Sequence, residues 1–172
     1  MPVDELANLE VLVADDDEDV RDLLVEHLRE RGLKVATAHS GTAALGALTR
    51  ASGRFGLVLT DISMPGADGF SVLRAARKAR ADCSVVIITG YATLDSAVEA
   101  MRLGAHDYLT KPFSLGQIDI VLHKMAERRA LERENRRLSE HGHANAGVEA
   151  RLERIEHALS RLESSLARFG PG

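Results

Sequence analysis

With 172 residues, 45% of them hydrophobic and 28% charged, the chain can bury one real core, and its length allows one domain or two. A formal net charge of -4 leaves no global basic footprint for nucleic acid, and the lone Cys83 excludes an internal disulfide and suits a reducing compartment. No apolar run is long enough to cross a bilayer and the first residues lack a signal-peptide pattern, so a soluble cytoplasmic protein with no membrane partner is expected.

Strands and helices alternate along the chain. A short apolar strand at 10–14 runs into Asp15-Asp16-Asp17-Glu18-Asp19, and a helix over 18–31 is predicted from the spacing of Val20, Leu23, Leu24, His27 and Leu28. The turn signal Arg31-Gly32 separates it from a strand at 34–38, and Ser40-Gly41 opens a helix over 41–50. After Ser52-Gly53 comes Leu57-Val58-Leu59-Thr60-Asp61, a strand at 57–61, followed by Ile62-Ser63-Met64-Pro65-Gly66-Ala67-Asp68-Gly69, which cannot continue it. A helix over 69–80 leads to a strand at 84–89 that starts beside Cys83, read as a buried inert thiol, and ends at Thr89. Leu94, Ala97, Val98 and Met101 predict a helix over 93–103, Asp107-Tyr108-Leu109-Thr110 a strand at 107–110, and Ile118, Val121, Leu122 and Met125 a helix from 114 onward. Five such units, with strands apolar throughout, predict an α/β fold in which a parallel sheet is doubly wound and buried on both faces.

In that arrangement Asp15, Asp16, Asp61, Thr89 and Lys111 all fall at C-terminal strand ends, where open α/β sheets bind ligands. Each has an ordinary reading alone: acids before a helix cap it, a threonine ends many strands, and a lysine before proline is commonly a solvated loop residue. Asp17 and Glu18 suit the capping role. Asp61 changes the balance, because a third carboxylate beside Asp15 and Asp16 raises the cost of mutual repulsion. A hard divalent cation removes that cost, and an all-oxygen cluster suits Mg²⁺.

The order Asp-Asp, Asp, Thr, Lys-Pro over about Glu10 to Met125 resembles the receiver domain of two-component response regulators. The segments Thr89-Gly90-Tyr91-Ala92-Thr93 and Gly104 to Phe113 look most like receivers of enhancer-binding transcription activators. The resemblance implies a flavodoxin-like strand order 2-1-3-4-5. It implies that Asp61 is the phosphoacceptor, that Asp16, Asp61 and the Ser63 carbonyl ligate Mg²⁺ directly, and that Asp15 acts through water. Lys111 and Thr89 would contact the phosphoryl oxygens, a cis Lys111–Pro112 bond would aim the lysine inward, and Tyr108 would be the switch aromatic coupled to Thr89. The expected donor is a sensor histidine kinase or a phosphotransfer protein, and the chain would be no enzyme beyond its own phosphorylation and dephosphorylation.

The receiver is expected over 1–126, a helical extension over 127–141, a flexible linker over 142–147 and a coiled-coil helix over 148–169. In the last, Val148, Leu152, Ile155, Leu159, Leu162, Leu166 and Phe169 form an unbroken heptad seam for a homo-oligomer or a partner helix, with an intramolecular fold-back as the alternative. No ATPase or DNA-binding module follows in these residues, so no direct DNA binding is expected. Two other functions fit parts of the pattern. A haloacid-dehalogenase-like phosphatase would use Asp15 and Asp17 as nucleophile and acid, and a non-phosphorylated scaffold would act through its coiled coil alone.

Overall fold

A computed structural model of the chain describes Leu6 and residues 9–138. Its helices start where polar side chains satisfy free backbone N–H groups. Asp17 accepts from Asp19 N and Val20 N at the start of α1 (Glu18–Glu30), and Ser40 accepts from Ala43 N at the start of α2 (Gly41–Ala51). Asp68 does the same for Ser71 N in α3 (Gly69–Ala79), and Thr93 for Ser96 N in α4 (Leu94–Arg102). A fifth helix, α5, starts at residue 115, and residues through 138 are helical. The chain divides into two units, Met1–Glu127 and Arg128–Gly172, and the fold described below belongs to the first. The linker and coiled-coil segments expected from the sequence lie outside the described residues.

Five strands, β1 (Glu10–Ala14), β2 (Lys34–Ala38), β3 (Phe55–Thr60), β4 (Ser84–Thr89) and β5 (Asp107–Thr110), form one parallel sheet in the order β2-β1-β3-β4-β5. This is the flavodoxin-like order. Side chains alternate between its two faces, save at the start of β3. Val11, Val13, Leu57, Leu59, Val86 and Ile88 pack with Leu24 and Leu28 of α1 and Ile118, Val121 and Met125 of α5. Leu12, Val58, Val85 and Ile87 face the other way, onto Leu48 of α2, Val72 and Leu73 of α3 and Ala100 of α4. Cys83 is buried beside this second group.

Two features differ from the expected pattern. β3 begins at Phe55, two residues early, because the β1–β3 register shifts between Glu10, opposite Phe55, and Val11, opposite Leu57. The extra residue, Gly56, breaks the alternation and puts Phe55 and Leu57 on opposite faces of the sheet. The apolar positions of α4 do not face the core: Leu94, Val98 and Met101 are exposed, and Ala100 alone is buried.

His27, on the buried side of α1, is tied to α5. Its Nε2 lies 2.9 Å from Asp119 Oδ1, and Arg31 Nε lies 2.6 Å from the same oxygen. Burial pushes the Asp119 carboxyl up, but the hydrogen bonds from Arg31 and His27 outweigh it and hold the group below the ordinary carboxylate value. A lowered acid stabilises the fold fully above its unfolded value, and that contribution is lost as pH falls through the folded value. Because Asp119 is partly solvated, Asp119→Asn should cost only roughly 1 kcal/mol at neutral pH. The variant's urea midpoint should converge on the wild-type midpoint in the acid range, and a gap that stays constant with pH would contradict the ion-pair assignment.

Candidate functional site

The parallel ladder runs one bond past each strand. Asp15 N donates to Ala38 O at the end of β2 (3.1 Å), Asp61 N to Ala14 O at the end of β1 (2.9 Å), and Lys111 N to Thr89 O at the end of β4 (2.9 Å). Asp61 therefore stands just beyond β3 rather than as its last residue, with its backbone still held by the neighbouring strand. Each polar side chain then turns back on the chain two residues ahead. Asp15 Oδ1 accepts from Asp17 N (3.0 Å), Asp61 Oδ1 from Ser63 N (3.0 Å), and Thr89 Oγ1 from Tyr91 N (3.2 Å).

These constraints bring the carboxylates of Asp15, Asp16 and Asp61 within 4.8 Å of one another. Asp15 and Asp61 are 2% and 6% exposed, whereas Asp16 faces solvent. Lys111, which precedes a cis bond to Pro112, sets its Nζ 2.7 Å from Asp15 Oδ2 and 2.8 Å from Asp61 Oδ2. Burial raises the Asp15 carboxyl above its ordinary value, more than the hydrogen bonds from Lys111 and the Asp17 N–H lower it. Burial acts on Lys111 in the opposite sense, lowering it, but the two carboxylates prevail and its value is raised. The directions agree physically: one ammonium shared between two carboxylates is favoured by both, whereas buried Asp15 has only a share of one cation. The donor set is all carboxylate, hard and undercompensated in charge, with one exposed member open to water, and so it fits Mg²⁺.

Thr89 is fully buried at the neighbouring strand end, its hydroxyl engaged with the Tyr91 N–H. Tyr108 on β5 is half-buried, and its hydroxyl lies 2.8 Å from Ser96 Oγ on α4. Ser63 is exposed; its N–H is the group that meets Asp61. Asp17 stays apart from the acid cluster, its carboxylate spent on the α1 cap as the sequence suggested. Three contributors went unread in the sequence. Arg21 Nη1 donates to Asp15 O at 2.7 Å, and Ser96 meets Tyr108. Gly69 backs directly onto Asp61, where any Cβ would collide with the Asp61 carbonyl. A capping box, Thr93 with Ser96 three residues on, was the available signal for Ser96.

Residues 11–123 match the family described as response regulator receiver domain. An NtrX-like response regulator of Rickettsia felis is 34% identical over 132 residues, covering 76% of this chain and 27% of that protein. The C4-dicarboxylate transport transcriptional regulatory protein DctD of Pseudomonas aeruginosa is 39% identical over 132 residues, covering 77% of this chain and 28% of that one. The chain thus spans little more than a quarter of the length of these curated relatives. A receiver domain protein from Clostridium thermocellum superposes with a TM-score of 0.65 at 32% identity, over 72% of this chain and 98% of its own. A response regulator from Burkholderia pseudomallei, solved with a phosphorylated aspartic acid, a calcium ion and citrate, gives 0.62 at 28% identity over 73% of each chain.

A raised acid works against folding once ionised: stability is fully present below its unfolded value and lost as pH rises through the folded one. Asp15→Asn, without divalent cation, should therefore unfold no earlier than wild type at neutral pH. Gly69→Ala should cost about 1–3 kcal/mol through overpacking against Asp61. Urea unfolding checks both, and a neutral Gly69→Ala would show that the loop after Asp61 yields freely.

Proposed function

The chain belongs to the response regulator receiver family, and on that footing we propose that Asp61 accepts a phosphoryl group from the phosphohistidine of a sensor kinase or phosphotransfer protein. The carrying observation is the Lys111 ammonium held between the buried carboxylates of Asp15 and Asp61 at adjoining strand ends. Asp61 is the nucleophile: its Oδ–P bond forms as the P–N bond to the donor imidazole breaks, the electron pair leaving with that nitrogen. The Ser63 N–H on Oδ1 leaves Oδ2, now facing Lys111, as the oxygen to attack. Lys111 then shifts from carboxylate to phosphoryl oxygen as a compact point charge, and the Thr89 hydroxyl, which accepts from the Tyr91 N–H, donates its own proton to another phosphoryl oxygen. Asp16, Asp61 and the Ser63 carbonyl would hold Mg²⁺, with Asp15 acting through water; the ion neutralises developing charge on the phosphoryl group. The likeness to a regulator solved with a phosphorylated aspartic acid and a calcium ion supports this assignment.

The dehalogenase-like alternative needs Asp17 free in the site, and its carboxylate is bound at the α1 cap. The response passes from Thr89 through Tyr108 to the surface of α4, β5 and α5, where Leu94, Val98 and Met101 are exposed. No described helix is long and apolar enough to cross a membrane. A cytoplasmic setting, signalling by protein–protein contact and self-association through 148–169 complete the proposal.

Mass spectrometry after incubation with acetyl phosphate and Mg²⁺ should find one phosphoryl group, on Asp61. Asp61→Asn and Asp16→Asn should each abolish it, and modification at Asp15 would instead favour the phosphatase reading. Thr89→Ala should still be phosphorylated but show no change of amide exchange over α4, β5 and α5 on phosphorylation. A wild-type response in that variant would remove Thr89 from the coupling.

For the tail, each buried leucine of the seam is worth roughly 1.5–3 kcal/mol. Leu159→Asp with Leu162→Asp should therefore dissociate the full-length chain in sedimentation while leaving Asp61 phosphorylation intact. A wild-type chain that sediments as a monomer would refute self-association.

A further inference from the structure

We propose that the Ser96 hydroxyl is a latch that positions Tyr108 against the first turn of α4 and can release it without loosening that turn. The proposal rests on the reading of Tyr108 as part of the response to Asp61 phosphorylation. Its basis is an imbalance of hydrogen-bond partners at one oxygen. Ser96 Oγ has a single proton and two lone pairs. It lies 2.9 Å from Thr93 O, which takes the proton, and 3.1 Å from Thr93 N, whose N–H fills one lone pair and closes the capping box. Two hydroxyls compete for the remaining lone pair: Tyr108 at 2.8 Å and Thr93 Oγ1 at 3.0 Å.

While Tyr108 donates, the phenol is fixed to α4. When the ring leaves, the Thr93 hydroxyl takes the vacated lone pair, and Thr93 Oγ1 goes on accepting from Ser96 N at 3.1 Å. No acceptor on α4 is stranded in either arrangement. The unlatched state costs the helix nothing at its cap, so the position of Tyr108 is decided by what its ring and hydroxyl find elsewhere. Ser96 acts through Tyr108 and touches none of the acid site; it is a positioning residue.

The test uses the full chain with ring-labelled tyrosine, which reports two phenols, Tyr91 and Tyr108. Without any phosphodonor, Ser96→Ala should move the Tyr108 ζ-carbon resonance, leave Tyr91 in place, and raise amide exchange in the first turn of α4 no more than Thr93→Ala does. Ser96→Thr, which keeps a hydroxyl, should restore the wild-type Tyr108 signal. Thr93→Ala weakens the cap but keeps the latch, and should leave Tyr108 unmoved. An unmoved Tyr108 in Ser96→Ala, or an equal displacement in Thr93→Ala, would overturn the proposal, the second by showing that the phenol follows helix fraying.

Failure of the underlying reading shows separately. If acetyl phosphate and Mg²⁺ leave wild-type Asp61 unmodified while the donor-free signals behave as stated, the latch stands and the phosphorylation assignment falls. If Asp61 is modified, the wild-type Tyr108 resonance should move toward its position in Ser96→Ala; movement away from it would overturn the latch as the element released.

Discussion

Everything at the acid site depends on a parallel ladder that does not stop where the strands stop. The amides of Asp15, Asp61 and Lys111 are each fixed to the last carbonyl of the strand alongside. In a parallel sheet those bonds are evenly spaced and fix the offset between neighbouring chains, so three residues distant in sequence share one level above the sheet. β1 pairs with β2 on one side and β3 on the other, which opens a crevice at the ends of β1 and β3. Asp15 and Asp61 stand at that crevice because Ala14 and Thr60 are register partners. Short side chains need no further guidance: an aspartate two atoms from its backbone can point little elsewhere once its carboxylate has accepted the N–H two residues on.

That placement has an electrostatic cost, and the proposed chemistry starts from it. Buried carboxylates at adjoining strand ends disfavour ionisation, visible in the raised Asp15, and one lysine only partly compensates them. A site left short of positive charge suits a hard cation, and on the proposed reading that cation and the lysine would act together to let it accept a phosphoryl group. The glycine behind Asp61 lets the following chain pass close against its carbonyl, and the Ser63 N–H holds one carboxylate oxygen so that the other faces Lys111.

The elements, their doubly wound parallel class and the polar strand ends were legible in the sequence because they follow from local rules, whereas the strand order that brings the acids together came only from the family resemblance. Continuous apolar strands, capping residues at Asp17, Ser40, Asp68 and Thr93, and polar residues directly after apolar runs are each decided within a few positions. What escaped depends on long-range geometry. Gly56 looks like a turn residue until its register with β1 shows the bulge it makes. Leu94, Val98 and Met101 have the spacing of a buried face, but the docking of α4 through Ala100 turns them to solvent, a choice no periodicity encodes. His27 was visible as a core position of α1; its partners Asp119 and Arg31 were not, since a hydrogen bond from α1 to α5 leaves no local mark. Ser96 fits a capping box by spacing alone, yet its second role needs β5 beside it.

The molecule is also unevenly held, and the unevenness runs in the direction a receiver needs. α3 buries Val72, Leu73 and Ala76 against the sheet, and α1 buries Leu24, Val25 and Leu28; α4 buries only Ala100. Few buried apolar contacts mark an element with a small free energy of local opening. A buried acid pocket and a lightly anchored helix thus share one sheet, with Thr89 at the end of β4 and Tyr108 on the adjacent strand between them as the proposed link. On the proposed reading, charge placed on Asp61 would act within the buried pocket, and α4, which buries the least among the described helices, would be the element to change its arrangement in response.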